Sequence, residues 1–379
     1  MTIRLAQVSD SFQISKLYHD VYEGTYPDPM MKSFFLIEKF IRSSGHYWFV
    51  AEEKGLLIAS VLYLYDVQHK LAKVFAGVVR QECRGQHFME QMMNFGHEYI
   101  QFEVGPVELC YATTRTVHEG AQSLTEKIGY KKLGIFPNVH KTLNYETHCL
   151  AALYDKRAFA KRHLAYEIHH KVKSLVDIAS AELGIETINS VVPEKPTRVL
   201  HEPPTLEYVE APAFVNFRYE SLRNAGNISF NFFPFNEPNV IILSPDQSIE
   251  MFMSVSHIDG HCLIVGGKVS GDVAYTALIK RMSDILRDRG IRYIEMLVRA
   301  DRPKILESVL AAKFIPCAFL PAYLVEEGLR RDYLILSRTF EIFDFQNIKL
   351  RGVNQRYLEE YFKTWKSIAL TPKLIDETL

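Results

Sequence analysis

The sequence has few cysteines and almost no excess charge. The five cysteines are an odd number and are widely spaced, at Cys83, Cys110, Cys149, Cys262 and Cys317. This spacing argues against structural zinc and against a disulfide framework, and it favours a reducing compartment. Lysine and arginine (44) nearly balance aspartate and glutamate (45), so no global field favours binding to nucleic acid or to an anionic membrane.

Long apolar runs are also missing. The N-terminal residues MTIRLAQVSDSFQ carry Asp10 where a secretory signal is apolar, and no stretch approaches the roughly 20 apolar residues of a membrane span. We therefore expect a cytoplasmic protein without a membrane span. With 47% hydrophobic residues in 379, the chain is too apolar for disorder and long enough for two compact domains.

The first 155 residues alternate between extended and helical patterns. An extended run at residues 2–6 precedes two helices, the first capped at Ser9 and the second over about residues 30–41. Three β-rich runs follow with short connections, which predicts an antiparallel meander. After Gly85 the apolar period becomes helical, and a strand, a short helix and two closing strands complete this part.

The remaining chain is predicted to contain a connection and a second domain. Residues 155–183 carry apolar side chains at helical spacing, which predicts one long helix. Residues 193–212 hold five of the sixteen prolines, so we place the linker there. The predicted domains are therefore 1–155, a connection at 156–212, a second domain at 213–341 and a helical tail at 342–379.

An internal similarity at an offset of 184 residues points to two copies of one fold. It aligns Pro137 with Pro321, and it aligns Arg115 with Arg299 at the ends of two predicted strands. The order and type of the surrounding elements also agree over about fifty residues.

The segment FAGVVRQECRGQHFMEQMM is the clearest candidate for chemistry. A strand ending at Val79 enters a short loop containing Gly85, and a helix starts almost at once. The unpaired N–H groups and positive dipole end of such a helix suit a pyrophosphate, and Arg80 and Arg84 add charge. An ordinary strand-to-helix turn is the alternative.

This segment resembles the GCN5-related N-acetyltransferase (GNAT) superfamily, and the resemblance covers residues 1–155. Val79, Arg84 and Gly85 match the family's Gln/Arg-x-x-Gly-x-Gly/Ala region, whereas His87 and Met89 occupy its two glycine positions. The resemblance implies that backbone N–H groups bind the pyrophosphate of acetyl-coenzyme A and that the pantetheine lies along the preceding strand. The implied cofactor-binding residues are Val78, Val79, Arg84, Gly85, Gln86, His87, Phe88, Met89 and Glu90.

A second family signature, A-x-x-L-Y-x-x-x-G-F, reads AQSLTEKIGY here. Thr125 stands where the family often has the tyrosine that protonates the departing thiolate, so the general acid is left unassigned. Tyr111 and His118 are the candidate catalytic residues, and Arg115 is a candidate contact for the substrate. The alternatives are a tyrosine packed in the core for Tyr111, a capping or surface histidine for His118 and an exposed arginine at the strand end for Arg115.

Other reactive residues carry weaker signals. Cys83 lies in the loop, but the sequence offers it no partner base, so it is disfavoured as a nucleophile. His140, His148 and Cys149 lack the spacing of a metal site, and we expect no metal. Backbone N–H groups near residues 77–79 are candidates for stabilising an oxyanion.

The second copy lacks the cofactor signature. The stretch SGD replaces the basic loop, and the interval from Val269 to Gly290 is 21 residues, against 26 from Val79 to Gly105. We expect a degenerate domain that does not hold coenzyme A in the usual way.

The resulting hypothesis is an α/β (α+β, mixed-sheet) protein with two GNAT-like domains in tandem. Its first domain is predicted to move an acetyl group from acetyl-coenzyme A to a small amine by direct attack in a ternary complex. A non-catalytic acyl-coenzyme A sensor and a longer-chain acyltransferase are the alternatives. The expected partner is a small-molecule amine, with no nucleic acid and no membrane, and a homodimer is left open.

Overall fold

The computed structural model describes residues 1–24, 26, 29–142, 144–192, 202–231 and 233–370. These residues form two compact units that are not contiguous in sequence. The first unit comprises Met1–Lys131, Leu150–Arg162 and Tyr323–Arg330. The second comprises Lys132–Cys149, His163–Ala322 and Arg331–Leu379.

The first unit has the predicted order of strand, two helices, three strands, helix, strand and helix. Its elements are β1 (Thr2–Leu5), α1 (Ser11–Tyr22), α2 (Phe34–Arg42), β2 (His46–Glu53), β3 (Leu56–Asp66), β4 (Leu71–Val79), α3 (Phe88–Tyr99), β5 (Leu109–Arg115) and α4 (Gly120–Ile128). The strands lie in the order β1-β2-β3-β4-β5. Pairing is antiparallel as far as β4 and parallel between β4 and β5.

The two faces of this sheet carry separate apolar clusters. Successive residues of β2 alternate between them, as period-2 strand geometry requires. Phe49 packs on the side covered by α3, and Trp48 packs on the side covered by α1 and α2. The sheet of the first unit therefore has α3 on one face and α1 and α2 on the other.

Two long hairpins contribute residues to both units. The first consists of β6 (Lys131–Lys141) and β7 (Tyr145–Tyr154), and the second consists of β16 (Ile315–Glu326) and β17 (Leu329–Thr339). The second half of β7, residues 150–154, belongs to the first unit, in which β7 follows β5 in the strand order.

The prediction of one long helix over residues 155–183 is wrong. The structure has α5 (Lys156–Ala160), an extended stretch, β8 (Ile168–His169) and α6 (Lys173–Leu183). Tertiary contacts override the helical pattern: Ile168 pairs with Val191 of β9 (Val191–Val192), and the Tyr166 hydroxyl donates to Asp332 Oδ2 at 2.5 Å. The buried apolar residues that resembled one helical stripe are therefore shared between a strand and a helix.

The second unit repeats a similar order of elements. They are β10 (Glu207–Glu210), α7 (Pro212–Asn224), β11 (Phe230–Asn231), β12 (Val240–Leu243), β13 (Ile249–Ser256), β14 (His261–Val269), α8 (Tyr275–Asp288), β15 (Tyr293–Arg299), α9 (Pro303–Ala311), β16 (Ile315–Glu326), β17 (Leu329–Thr339) and α10 (Asn354–Ala369). The strands lie in the order β10-β12-β13-β14-β15-β17-β16-β6, with β11 beside β14.

Two further expectations concern the linker and the tail. Nine of the twenty residues of the predicted proline-rich linker (193–212), residues 193–201, lie outside the described residues, and α7 starts at Pro212, a position that proline favours. The predicted tail helix is present as α10, with Tyr357 and Tyr361 buried. No helix in the described part of the chain is long and apolar enough to cross a bilayer.

Candidate functional site

The parallel strands β4 and β5 separate after a short paired stretch. Leu71 to Lys73 pair with Leu109 to Tyr111, and in the described ranges the pairing ends there. Residues 74–79 of β4 therefore face an opening between the strands. An unpaired stretch of strand edge offers backbone donors and acceptors to a ligand.

A β-bulge lies on β4 at this opening. Ser60 pairs with Val78 and Leu62 pairs with Phe75, so two residues, Ala76 and Gly77, oppose one residue of β3. A bulge of this kind turns backbone groups out of the ladder. The N–H groups predicted to stabilise an oxyanion, at residues 77–79, lie on and just after this bulge.

The bulge is held from α1 by Tyr18. Its hydroxyl donates to the carbonyl of Ala76, and its side chain is almost fully buried. The rings of Tyr18, Tyr22 and Tyr26 pack together with centroid distances of 4.8 to 6.3 Å. Sequence reasoning placed Tyr18 in an apolar stripe and missed its contact with Ala76, which is 58 positions away and leaves no signal in the local sequence.

The turn after β4 leads into α3 without a side-chain cap. Gly85 has φ of +78° and His87, the residue before the helix, has φ of +60°. No side chain caps the first N–H groups from the His87 position. The first turn of α3 therefore presents backbone donors and the positive end of the helix dipole.

A cavity of about 300 Å³ lies between this turn and α4. Val79, Met89 and Leu124 supply apolar wall, while Arg84 and Lys127 supply positive charge. Seven of the nine predicted cofactor-binding residues line it: Val79, Arg84, Gly85, His87, Phe88, Met89 and Glu90.

Two predicted cofactor-binding residues do not line the cavity. The side chain of Val78 is buried in the apolar cluster under α1 and α2, on the face of the sheet opposite α3, so only its backbone is available to a ligand. Gln86 is exposed in the turn. Arg80 was expected to add charge to the turn. Instead its Nη1 lies 3.3 Å from Asp20 Oδ2, and its Nε donates to the Leu57 carbonyl at 2.9 Å.

Glu90 is the acidic group on the cavity wall. Its Oε2 lies 2.6 Å from Lys127 Nζ and 3.1 Å from His87 Nδ1. The hydrogen bond from Lys127 lowers the pKa of Glu90, and His87 adds to this effect. Glu90 is therefore ionised at neutral pH. Sequence reasoning missed the pair, because its two members are 37 residues apart.

The candidate catalytic residues do not meet in the cavity. His118 is exposed in the connection between β5 and α4, and Arg115 is exposed at the end of β5. Tyr111 is buried on β5, with its ring 6.0 Å from that of Tyr323 in an edge-on arrangement. None of the three lines the cavity.

Thr125 and Cys83 are unsuited to reactive roles. Thr125 is buried, and its hydroxyl lies within hydrogen-bond distance of the Ala121 and Gln122 carbonyls of its own helix, at 3.1 and 2.9 Å. Burial raises the pKa of the Cys83 thiol, and Glu82 raises it further, which disfavours the thiolate.

Within the described ranges, no group of three or more His, Cys, Asp or Glu residues is placed to hold a metal ion.

Comparison with known proteins identifies the segment that carries this geometry. Residues 12–130 match the model of the Acetyltransferase (GNAT) family. The GNAT-matching segment contains the bulge, the turn, α3 and α4. The expected GNAT resemblance is thus confirmed for this segment of the chain. No curated protein matches the chain.

Solved acetyltransferase structures also resemble part of the chain. Ribosomal-protein-alanine N-acetyltransferase from Brucella melitensis is 14% identical, with 41% of this chain and 100% of that chain covered and a TM-score of 0.37. A variant of spermidine N-acetyltransferase from Vibrio cholerae is 18% identical, with coverage of 41% and 95% and a TM-score of 0.36. An aminoglycoside 6'-N-acetyltransferase complexed with coenzyme A is 15% identical, with coverage of 41% and 97% and a TM-score of 0.35.

Proposed function

We propose that the first unit transfers an acetyl group from acetyl-coenzyme A to an amine. The observation that carries the proposal is the opening between β4 and β5, which runs past the bulge to the uncapped start of α3 and its cavity. The family match over residues 12–130 supports the same chemistry. The proposed site lies within the predicted first domain, residues 1–155.

The residues around the turn fit a diphosphate. Gly85 has the left-handed backbone that the turn needs, and a side chain there would meet open space. The N–H groups between Arg84 and Glu90 would bind the diphosphate, with charge from Arg84 and Lys127. The Met89 side chain packs close to Gly77: a Cβ on Gly77 would lie 3.5 Å from its sulfur and its terminal methyl carbon. The space for the cofactor is therefore smaller than it would be with glycine at position 89.

The proposed chemistry is direct attack by the amine nitrogen on the thioester carbonyl: the C–N bond forms, the C–S bond breaks, and coenzyme A leaves as a thiolate that takes up the proton lost by the amine. The thioester supplies the activated acyl group. Backbone N–H groups at the bulge would stabilise the oxyanion, and Tyr18 would hold the bulge in place. An alkylamine with a pKa of about 10.4 must lose a proton before attack. His118 and Tyr111 are our candidates for proton transfer and Arg115 for acceptor binding, because all three lie on β5 or directly after it.

We further propose that the second unit contains a degenerate copy of the same fold, within residues 213–341. The order β12-β13-β14-β15-β17 parallels β2-β3-β4-β5-β7, and β10, which lies just before residue 213, takes the place of β1 beside β12. The strands β14 and β15 also pair in parallel over only three residues, and β14 has a register shift at its pairing with β13.

Strand β11 pairs with the edge of β14 that would otherwise be open. Phe230 and Asn231 of β11 pair with Gly267 and Gly266, and the Ser229 N–H donates to the Gly267 carbonyl at 2.8 Å. By comparison with β4, this is the edge along which the pantetheine would lie. We therefore propose that the second unit binds no coenzyme A.

Thiol release from acetyl-coenzyme A with a panel of amines tests the proposed function. We expect release that depends on at least one of the polyamines, aminoglycosides or peptide N-termini in the panel. A specific observation favours the sensor as second candidate: Thr125 is committed to its own helix and supplies no acid. Coenzyme A binding by calorimetry without turnover for any amine or acyl chain length would favour that sensor. Release only with longer acyl chains would identify a longer-chain enzyme.

Replacing His87 by glycine should tighten coenzyme A binding. His87 has a left-handed backbone that glycine adopts without strain, and its side chain lines the cavity, where it narrows the approach of the phosphates to the backbone N–H groups. We expect His87→Gly to lower the Kd for coenzyme A by about three- to tenfold in calorimetry. Gln86→Gly is the control, because Gln86 lies in the same turn but not on the cavity wall. Equal or weaker binding by His87→Gly would contradict the assigned turn.

A further inference from the structure

The pair formed by Glu90 and Lys127 closes across the proposed phosphate site. Glu90 is the third residue of α3, and Lys127 lies in the last turn of α4. Both line the cavity, and the 2.6 Å contact between Oε2 and Nζ joins its two walls. His87 Nδ1 approaches the same carboxylate oxygen at 3.1 Å and lies 3.4 Å from Lys127 Nζ.

The Glu90 carboxylate lies beside the donors that an anionic ligand would use, namely the N–H groups at the start of α3 and the Lys127 ammonium group. Glu90 holds a full negative charge at neutral pH next to the N–H groups that open α3. A phosphate entering this site would be repelled by the carboxylate and attracted by the ammonium group of Lys127. The two anions compete for one cation.

The exposure of the pair allows such an exchange. The side chains of Lys127 and His87 are more than half exposed, at 55% and 67%, whereas Glu90 is 22% exposed. Exposed ion pairs contribute little to folding stability, so the pair opens at small cost. The diphosphate as a whole and the 3'-phosphate of coenzyme A each carry more negative charge and more acceptor oxygens than a carboxylate, and lysine binds such a group as a point charge.

We propose that Glu90 is an internal counter-ion that a phosphate of coenzyme A displaces from Lys127. This inference rests on the proposed function, because it assigns a ligand to the same cavity. Lys127 is then a phosphate-binding residue, and Glu90 sets the affinity by competing for it. The ordinary alternative is that Glu90 only favours the helix start through the helix dipole.

Calorimetric titration of coenzyme A into four full-length proteins tests the exchange. These are the wild type, Glu90→Gln, Lys127→Met and the double variant. We expect Glu90→Gln to bind about three- to tenfold more tightly and Lys127→Met about five- to tenfold more weakly. Lys127→Met should cost more in the Glu90→Gln background than in the wild type, because Lys127 is there already released from the carboxylate.

Matched controls separate this competition from a general change of charge. Glu98→Gln removes an exposed carboxylate from the same helix, and Lys131→Met removes an exposed ammonium group just beyond α4. Both should leave the Kd within about twofold of the wild type. Pantetheine, which has no phosphate, should bind all variants equally. Dephospho-coenzyme A identifies the phosphate: an unchanged effect assigns the diphosphate, and a lost effect assigns the 3'-phosphate.

The outcomes distinguish this inference from the proposed function. If the wild type binds coenzyme A but Glu90→Gln binds it equally or more weakly, the exchange is overturned and the proposed function stands. A wild type that binds no coenzyme A would overturn both. A Glu98→Gln effect equal to that of Glu90→Gln would also overturn the exchange, because it would reflect net charge alone.

Discussion

Replacing Arg330 by methionine should destabilise the first unit by about 3–5 kcal/mol. Arg330 is fully buried, and its guanidinium donates to Glu108 Oε2 at 2.8 Å. It also donates to the carbonyls of Tyr323 and His69, at 3.0 and 2.8 Å. Glu108 is only 2% exposed, so methionine would leave a buried carboxylate with weaker compensation. Urea unfolding followed by circular dichroism measures the loss.

Lys161→Met is the matched control for this variant. Lys161 Nζ lies 3.9 Å from the same Glu108 carboxylate, on the other oxygen, but its side chain is half exposed. Removing that charge should cost less than about 1 kcal/mol. Equal losses for the two variants, or a loss below 1 kcal/mol for Arg330→Met, would contradict the role of this buried pair.

Arg330 is supplied to the first unit by a distant part of the sequence. Arg330 comes from the hairpin of β16 and β17, yet it lies in the first unit with Glu108 on the other side of the ion pair. Burial opposes the charge of Glu108, but hydrogen bonds from Arg330 and Lys70 outweigh it and lower its pKa. A fragment ending near residue 155 lacks Arg330, so we expect it to be less stable than the full chain.

Gly85→Ala should weaken coenzyme A binding at least tenfold. The left-handed backbone at φ of +78° costs alanine about 1 kcal/mol. If the turn relaxes to avoid that cost, its N–H groups no longer converge on one anion. A tenfold loss corresponds to about 1.4 kcal/mol. Calorimetric titration of the full-length variant gives the Kd.

Gly55→Ala is a close control for backbone strain. Gly55 lies in the turn between β2 and β3, also with φ of +78°, and a Cβ there would likewise meet open space. The two substitutions should therefore lower the melting temperature by similar amounts. Only Gly85→Ala should change the Kd, and a similar weakening by Gly55→Ala would show that general strain, not the turn, is responsible.

The sequence predicted much of the local structure of the first unit. Short connections and β-branched runs predict the meander, and the change of apolar period after Gly85 predicts α3. The same local signals fail at residues 155–183. There the apolar spacing is helical, but pairing of Ile168 with Val191 decides the conformation, and such pairing leaves no local pattern.

The site was predicted only as far as local motifs reach. The turn from Arg84 to Glu90 has a recognisable sequence, and most of its residues line the cavity. The contacts of Tyr18 with Ala76 and of Lys127 with Glu90 join residues that are 58 and 37 positions apart. Only the folded chain brings such partners together, so neither contact could be predicted from motif spacing.

A crystal structure of the full chain with coenzyme A tests the central claim most directly. We expect one cofactor per chain, with its diphosphate at the N–H groups of residues 84–90 and its thiol end at the bulge of Ala76 and Gly77. We expect the edge of β14 to remain paired with β11. A cofactor bound on β14, or an empty turn at saturating coenzyme A, would contradict the account.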